Sequence, residues 1–162
     1  MFRNILIQAL LLGSSYGTKC PDVLSFRSQQ ILDDFDPKGL SGLWYEAAHI
    51  DLAQVGSSCQ TMNFTQADDK GLTCDFKVRY GPAPFTMTEL YAPQDEVAHY
   101  IKTAKVPGGK LLRLDTVVVD AAMECDECDG TYDDLILFSC IDAVDTVPVI
   151  ELNIVTREKF VD

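Results

Sequence analysis

The chain has 162 residues, 47% of them hydrophobic and 23% charged. That balance belongs to one globular domain and excludes a wholly disordered chain. Asp and Glu number 25 against 13 Lys and Arg, a formal charge of −12, and such an excess repels phosphate, so nucleic acid is excluded as a partner and an anionic lipid surface is a poor one.

In chain order, the first element is a leader. Met1-Phe2-Arg3-Asn4 precedes the apolar run Ile5 to Gly13 and the residues Ser14-Ser15-Tyr16-Gly17. A positive start, a short apolar stretch and small residues before a cut describe a signal peptide. Cleavage is expected after Gly17, leaving residues 18–162 as one domain that is secreted or delivered to an organelle lumen. The run is too short to span a bilayer, and no later stretch reaches about 18 uninterrupted apolar residues, so no stable transmembrane segment is expected. All six cysteines (Cys20, Cys59, Cys74, Cys125, Cys128 and Cys140) follow the leader. An even number in an exported chain favours disulfides, whose connectivity spacing alone does not determine.

Strand signals then recur, and helix signals do not. Leu43 to Ile50 and Cys59 to Gln66 are the first two strands, followed by the turn residues Asp68-Asp69-Lys70-Gly71. Leu72 to Tyr80 alternates, with Leu72, Cys74, Phe76, Val78 and Tyr80 on one face and Thr73, Asp75, Lys77 and Arg79 on the other. This is the pattern of a half-buried strand. Gly81-Pro82-Ala83-Pro84 ends it. Phe85 to Tyr91 and Val97 to Thr103 come next, split by Pro93-Gln94-Asp95. After Pro107-Gly108-Gly109, strands are expected over Lys110 to Val119, Asp134 to Ile141 and Val149 to Thr156. About eight short, evenly spaced strands argue for an all-β sandwich or an up-and-down antiparallel barrel. The acidic stretch from Glu124 to Asp134 is the one unusual connection.

Two segments at the ends of this array carry a resemblance. Gly42-Leu43-Trp44-Tyr45-Glu46 holds the single Trp of the chain at the opening of the first strand, and Ile154-Val155-Thr156-Arg157 closes the last. Together they resemble the lipocalins, whose G-x-W signature and strand-eight arginine they match. The resemblance implies an eight-stranded barrel closed at its base by Gly42, Trp44 and Arg157, with the guanidinium over the indole face. Such a contact is worth about 0.5–2 kcal/mol. Lys19-Cys20-Pro21, Cys59 to Thr65 and Tyr132 to Cys140 look like the apolipoprotein D-like branch, which resembles the bacterial and plant lipocalins. That branch implies a Cys20–Cys140 disulfide. Three departures stand out. The segment entering strand seven is blurred, with residues 121–131 resembling an insertion. The C-terminal cysteine that pairs with the counterpart of Cys59 is missing, which leaves Cys59 to pair with Cys74, Cys125 or Cys128. The family's C-terminal helix is also missing. Counting by twos from Arg157 places Val155, Asn153 and Glu151 inside the barrel and Ile154, Leu152 and Ile150 outside. That outer stripe asks for a partner, the missing helix or an N-terminal segment to cover it.

The remaining chemistry is a ligand pocket. An eight-stranded barrel holds one small ligand inside. Alternation nominates Ala48, Met62, Phe64, Phe76, Val78, Tyr80, Met87, Tyr91, Tyr100, Glu151, Asn153 and Val155 as its lining, though a slip of one residue inverts any strand. The expected function is binding and carrying a fatty acid, sterol, pigment or retinoid-like molecule. No catalytic residue, cofactor or metal is expected. Cys125-Asp126-Glu127-Cys128 reads as a structural pair, because no helix follows it and the only histidines, His49 and His99, are not adjacent. The acidic loop matches no calcium-binding spacing. Asn63-Phe64-Thr65 is an N-glycosylation sequon. The enzymatic alternative is a protein similar to violaxanthin de-epoxidase, acting on a carotenoid through acidic residues inside the barrel. Of these, only Glu151 is visible from alternation. A protein-binding β-module is the third class.

Overall fold

The computed structural model describes residues 19–66, 71–123, 130–142 and 147–159. The expected signal peptide, residues 1–17, lies outside them, as do Cys125 and Cys128. Eight strands form the molecule: β1 (Gly42–Ile50), β2 (Ser57–Gln66), β3 (Leu72–Tyr80), β4 (Ala83–Pro93), β5 (His99–Ala104), β6 (Leu114–Ala122), β7 (Asp134–Ile141) and β8 (Val149–Thr156). Each pairs antiparallel with its sequence neighbour, and β8 pairs back onto β1, so the sheet is a closed barrel with no free edge.

The alternation of β3 becomes a clean inside and outside. Leu72, Cys74, Phe76 and Val78 are buried, while Asp75, Lys77 and Arg79 are exposed. Tyr80 breaks the pattern because it sits at the tip of the β3–β4 hairpin, opposite Ala83. Several strand bounds differ from the sequence expectation: the second begins earlier, at Ser57, and the fourth runs Ala83–Pro93, so Ala83, Pro84 and Pro93, read as breaks, are strand residues paired with Tyr80, Arg79 and Tyr100. The sixth begins at Leu114, because Gly109–Leu111 curls into a 3-10 turn after Gly108. The fifth begins at His99, because Ala98 takes φ +57, a left-handed conformation that interrupts an extended chain.

The two barrel ends are unlike. The end where β1 begins and β8 finishes is the base. It is covered by a short helix α1 (Gln29–Asp34) and a 3-10 turn at Pro37–Leu40. The helix was not apparent in the sequence because it is only six residues long. Ser28 caps it, its Oγ accepting from Ile31 N at 3.2 Å. Ile31, Leu40 and Trp44 are each at most 1% exposed and join Phe64, Tyr91, Tyr100 and Leu135 in an apolar plug. The opposite end, the mouth, is formed among the described residues by the β1–β2, β3–β4 and β5–β6 connections.

The chain enters along the outside. Cys20 is joined to Cys140 near the mouth by a disulfide spanning 120 residues, with Cα atoms 5.9 Å apart. In the chain-entropy model such a loop is worth about 4–5 kcal/mol. Val23 then packs with Val117, Phe138 and Cys140, and Leu152 lies against this outer cluster. Part of the outward stripe of β8 is therefore covered by the N-terminal segment, while Ile150, nearer the mouth, stays 36% exposed. Among the described residues β8 is the last regular element, and no helix is long and apolar enough to cross a membrane.

Candidate functional site

The base is held by one side chain. The Trp44 indole N–H donates to Leu40 O at 2.8 Å, and the Arg157 guanidinium carbon lies 3.7 Å from the ring centroid. Arg157 donates from Nε to Tyr132 O, from Nη1 to Leu43 O, and from Nη2 to Gly39 O and Ser41 O, at 2.8–3.0 Å. Glycine is required beside it. Gly42 has φ +104, and a Cβ there would sit 3.0 Å from Arg157 Nη1. Trp44, Arg157 and the Pro37–Leu40 turn thus fill this end of the barrel.

Above the plug lies a polar layer contributed by four strands and the first mouth connection. Lys102 on β5 is 5% exposed. Its Nζ donates to Glu151 Oε2 on β8 and stands 3.5 Å from Glu89 Oε1 on β4. Tyr91 O–H donates to the other Glu89 oxygen at 2.9 Å. Beside this group is Glu46 on β1, whose side chain is wholly buried. Its Oε1 accepts from Asn153 Nδ2 at 2.5 Å and from Gln54 Nε2 at 3.3 Å. Gln54 reaches inward because Asp51 caps the 3-10 turn Leu52–Gln54 and Tyr80 O–H donates to Ala53 O at 2.5 Å, tying that turn to the β3 tip. Two buried acceptors in the layer have no hydrogen-bond donor, Glu46 Oε2 and Gln54 Oε1.

Burial opposes the charge of Lys102, but the facing Glu89 and Glu151 carboxylates outweigh it and hold the ammonium protonated above the usual lysine range. Burial raises Glu151 and Glu46, and their hydrogen bonds only partly offset it. Burial and the adjacent Glu89 push the Tyr91 hydroxyl far above the usual range, so it remains a donor. Three carboxylates share this interior with one lysine.

A cavity of about 80 Å³ opens between this layer and the mouth. Its apolar lining includes Met62, Phe76, Tyr80, Phe85 and Met87, and its polar lining includes Gln54, Glu89, Lys102, Glu151 and Asn153. Ligand cavities ordinarily run to about 300–1,000 Å³, so a large ligand needs the flexible Met62 and Met87 and the rim to give way. That rim is apolar and exposed: Leu52 is 78%, Val55 73% and Leu111 83% accessible.

The residues expected to line a pocket divide into three sets. Met62, Phe76, Tyr80, Met87, Glu151 and Asn153 surround the cavity. Phe64, Val78, Tyr91, Tyr100 and Val155 are buried in the barrel core and do not line it. Ala48 is exposed, because a register shift between Glu46 and Ala48 interrupts the alternation of β1. Sequence reasoning missed Glu46, Gln54, Glu89 and Lys102. The signal for two of them was present: Glu89 lies between Met87 and Tyr91 at a spacing of two, and Lys102 follows Tyr100 at the same spacing. Asn63 is exposed on β2. Cys59 is an exposed free thiol and Cys74 a buried one, so neither bridges the other. Among the described residues no group of three His, Cys, Asp or Glu is placed to hold a metal ion.

No protein-family model matches the sequence, and no curated protein matches it. Solved structures do match. Insecticyanin from the tobacco hornworm Manduca sexta superposes with a TM-score of 0.60 at 17% identity, covering 88% of this chain and 71% of that one. Lobster apocrustacyanin A1 gives a TM-score of 0.58 at 15% identity, covering 88% and 72%. The siderocalin Ex-FABP gives 0.50 at 14% identity over 76% and 77%. At such identities the likeness is one of architecture, and it agrees with the closed eight-stranded antiparallel sheet: the chain has the lipocalin fold.

Proposed function

We propose that the protein is a carrier that takes a small hydrophobic ligand into the open end of the barrel, and that it is not an enzyme. The observation that supports this most directly is the cavity between the polar layer and the apolar rim, with the other end sealed by Trp44 and Arg157. The ligand's apolar body lies against Phe76, Phe85 and Met87, where burial contributes about 25 cal/mol per Å². Its polar end meets the layer of Gln54, Glu151 and Asn153. Of the expected ligands, the neutral ones (sterol, retinoid-like alcohol, pigment) suit three interior carboxylates better than a fatty acid does. The apolipoprotein D-like ancestry, a signal peptide at 1–17, secretion, and glycosylation at the exposed Asn63 belong to the same reading. The Cys20–Cys140 bridge supports an oxidising compartment.

Titration with a fluorescent sterol and with retinol, followed by displacement, tests the carrier reading. Saturable, displaceable uptake is expected. Absence of displaceable uptake of any ligand tried, neutral or charged, would sink it. Ligand fluorescence is the proper signal, because Trp44 is part of the plug at the base and does not line the cavity. A second reading, carotenoid de-epoxidation, is favoured by Glu89 joining Glu151 inside the barrel. Turnover of an epoxy-carotenoid with ascorbate, abolished in Glu151→Gln, would establish it in place of the carrier.

A further inference from the structure

The polar layer is unbalanced in two ways. Three carboxylates, Glu46, Glu89 and Glu151, stand against one ammonium, Lys102; Glu89, Glu151 and Lys102 line the cavity, and Glu46 reaches it only through Gln54 and Asn153, which donate to it. Its hydrogen bonding is also incomplete, and what is missing is donors. Gln54, 3% exposed and part of the cavity wall, presents an Oε1 with no donor, and Glu46 Oε2 directly behind it has none either. Gln54 and Asn153 both line the cavity and both spend an N–H on Glu46. The other titratable groups near Glu46 are His49, whose Nδ1 stands 3.3 Å from Oε2 outside hydrogen-bond geometry, and Asp51, which adds negative charge. Buried acceptors without donors and buried charge without a counter-charge each cost stability.

One ligand chemistry answers both deficits. We propose that the cavity is a recognition site for a protonated amine, a ligand with an ammonium head and a short apolar body. The head donates to Gln54 Oε1 and the Glu151 carboxylate, with the Glu46 charge behind them, and the body points toward Phe85 and the rim. An ammonium carries several donors and no acceptor, which is what the layer lacks. A carboxylate head would add a fourth negative group and find Lys102 already engaged by Glu89 and Glu151. An alcohol supplies one donor and no charge. This inference rests on the carrier reading and gives its ligand a cationic head in place of a neutral one.

Hexylamine, hexanol and hexanoate share one apolar body and differ in the head, so calorimetric titration of the intact protein at pH 7 separates the head's contribution. Hydrogen bonds to charged groups are worth about 1.5–3 kcal/mol, so hexylamine is expected to bind at least about tenfold tighter than hexanol, with hexanoate weakest. Glu46→Gln and Glu151→Gln, each checked for a cooperative melt, should each lower hexylamine affinity by about tenfold and leave hexanol within about twofold. Should Glu151→Gln fail to fold for loss of the Lys102 partner, the wild-type head-group comparison and Glu46→Gln still decide. Hexanol or hexanoate binding as tightly as hexylamine would overturn the proposal, as would an amine preference that survives both substitutions. Uptake of sterol or retinol without any amine preference would overturn it while leaving the carrier reading intact. Failure of all three hexyl probes together with the neutral lipids would overturn both.

Discussion

Removing the Arg157 side chain tests whether the base of the barrel is held by one residue. In Arg157→Ala four hydrogen bonds from a charged donor are lost, to Tyr132 O, Leu43 O, Gly39 O and Ser41 O, along with the contact over Trp44. Taken singly, such bonds are worth about 1.5–3 kcal/mol each and the ring contact about 0.5–2. They do not add, because one side chain makes all of them and the freed carbonyls are at most part-buried, so water replaces some of what is lost. The expected cost is about 3–5 kcal/mol, read as the shift in urea midpoint at constant slope. For a domain of this size that is a fall in Tm of roughly 10–15 °C. Arg157→Lys should recover little, since an ammonium cannot reach four carbonyls in one plane and stack on the indole as well. Trp44→Ala should cost about 3–5 kcal/mol on its own. In a double-mutant cycle the two should couple by at least about 1 kcal/mol. A cost below about 1 kcal/mol for Arg157→Ala, or a coupling near zero, would show that the turn at Pro37–Leu40 and α1 close the base without it.

Two further outcomes follow from the polar layer. Lys102→Met leaves Glu89 and Glu151 facing each other in a dry interior, and should cost about 3–5 kcal/mol at pH 7, with much of the loss recovered at pH 5 as one carboxyl takes up a proton; a pH-independent cost would mean that the lysine acts by packing alone. Burial raises the folded-state pKa of Glu46 and Glu151 above their ordinary 4.5, so the folded protein holds protons that the unfolded chain has released. The stability linked to these groups is therefore fully present below pH 4.5 and is lost as pH rises through the raised values. Wild-type protein should gain stability on going from pH 7 to pH 5, and Glu46→Gln should show a smaller gain; equal gains in thermal melts of the two would contradict the burial argument.

The strand array was legible in the sequence because it depends on local alternation. The period of two along Leu72–Tyr80 specifies which face is apolar whatever the strand pairs with. The short α1 was not legible, since a six-residue segment shows too little periodicity and is held by docking onto β6, where Ser28 N donates to Val119 O at 2.7 Å. The expected lining failed at Ala48 for a related reason: the irregularity after Glu46 belongs to the pairing of β1 with β8, not to β1 alone.

Local pattern suffices for a barrel's worth of alternating strands, a glycine–tryptophan opening, an arginine after the last strand and cysteines at 20 and 140 that the fold brings together. These are properties of single segments, or of a resemblance those segments carry. The chemistry of the interior arises from closure of the sheet. Glu46, Glu89, Lys102 and Glu151 stand on β1, β4, β5 and β8, and nothing within any one strand marks them as neighbours. Closure of the sheet and its register bring them to one level, and burial then turns four ordinary surface-type residues into a charged, donor-poor layer, because a charge withdrawn from water must be answered by what surrounds it.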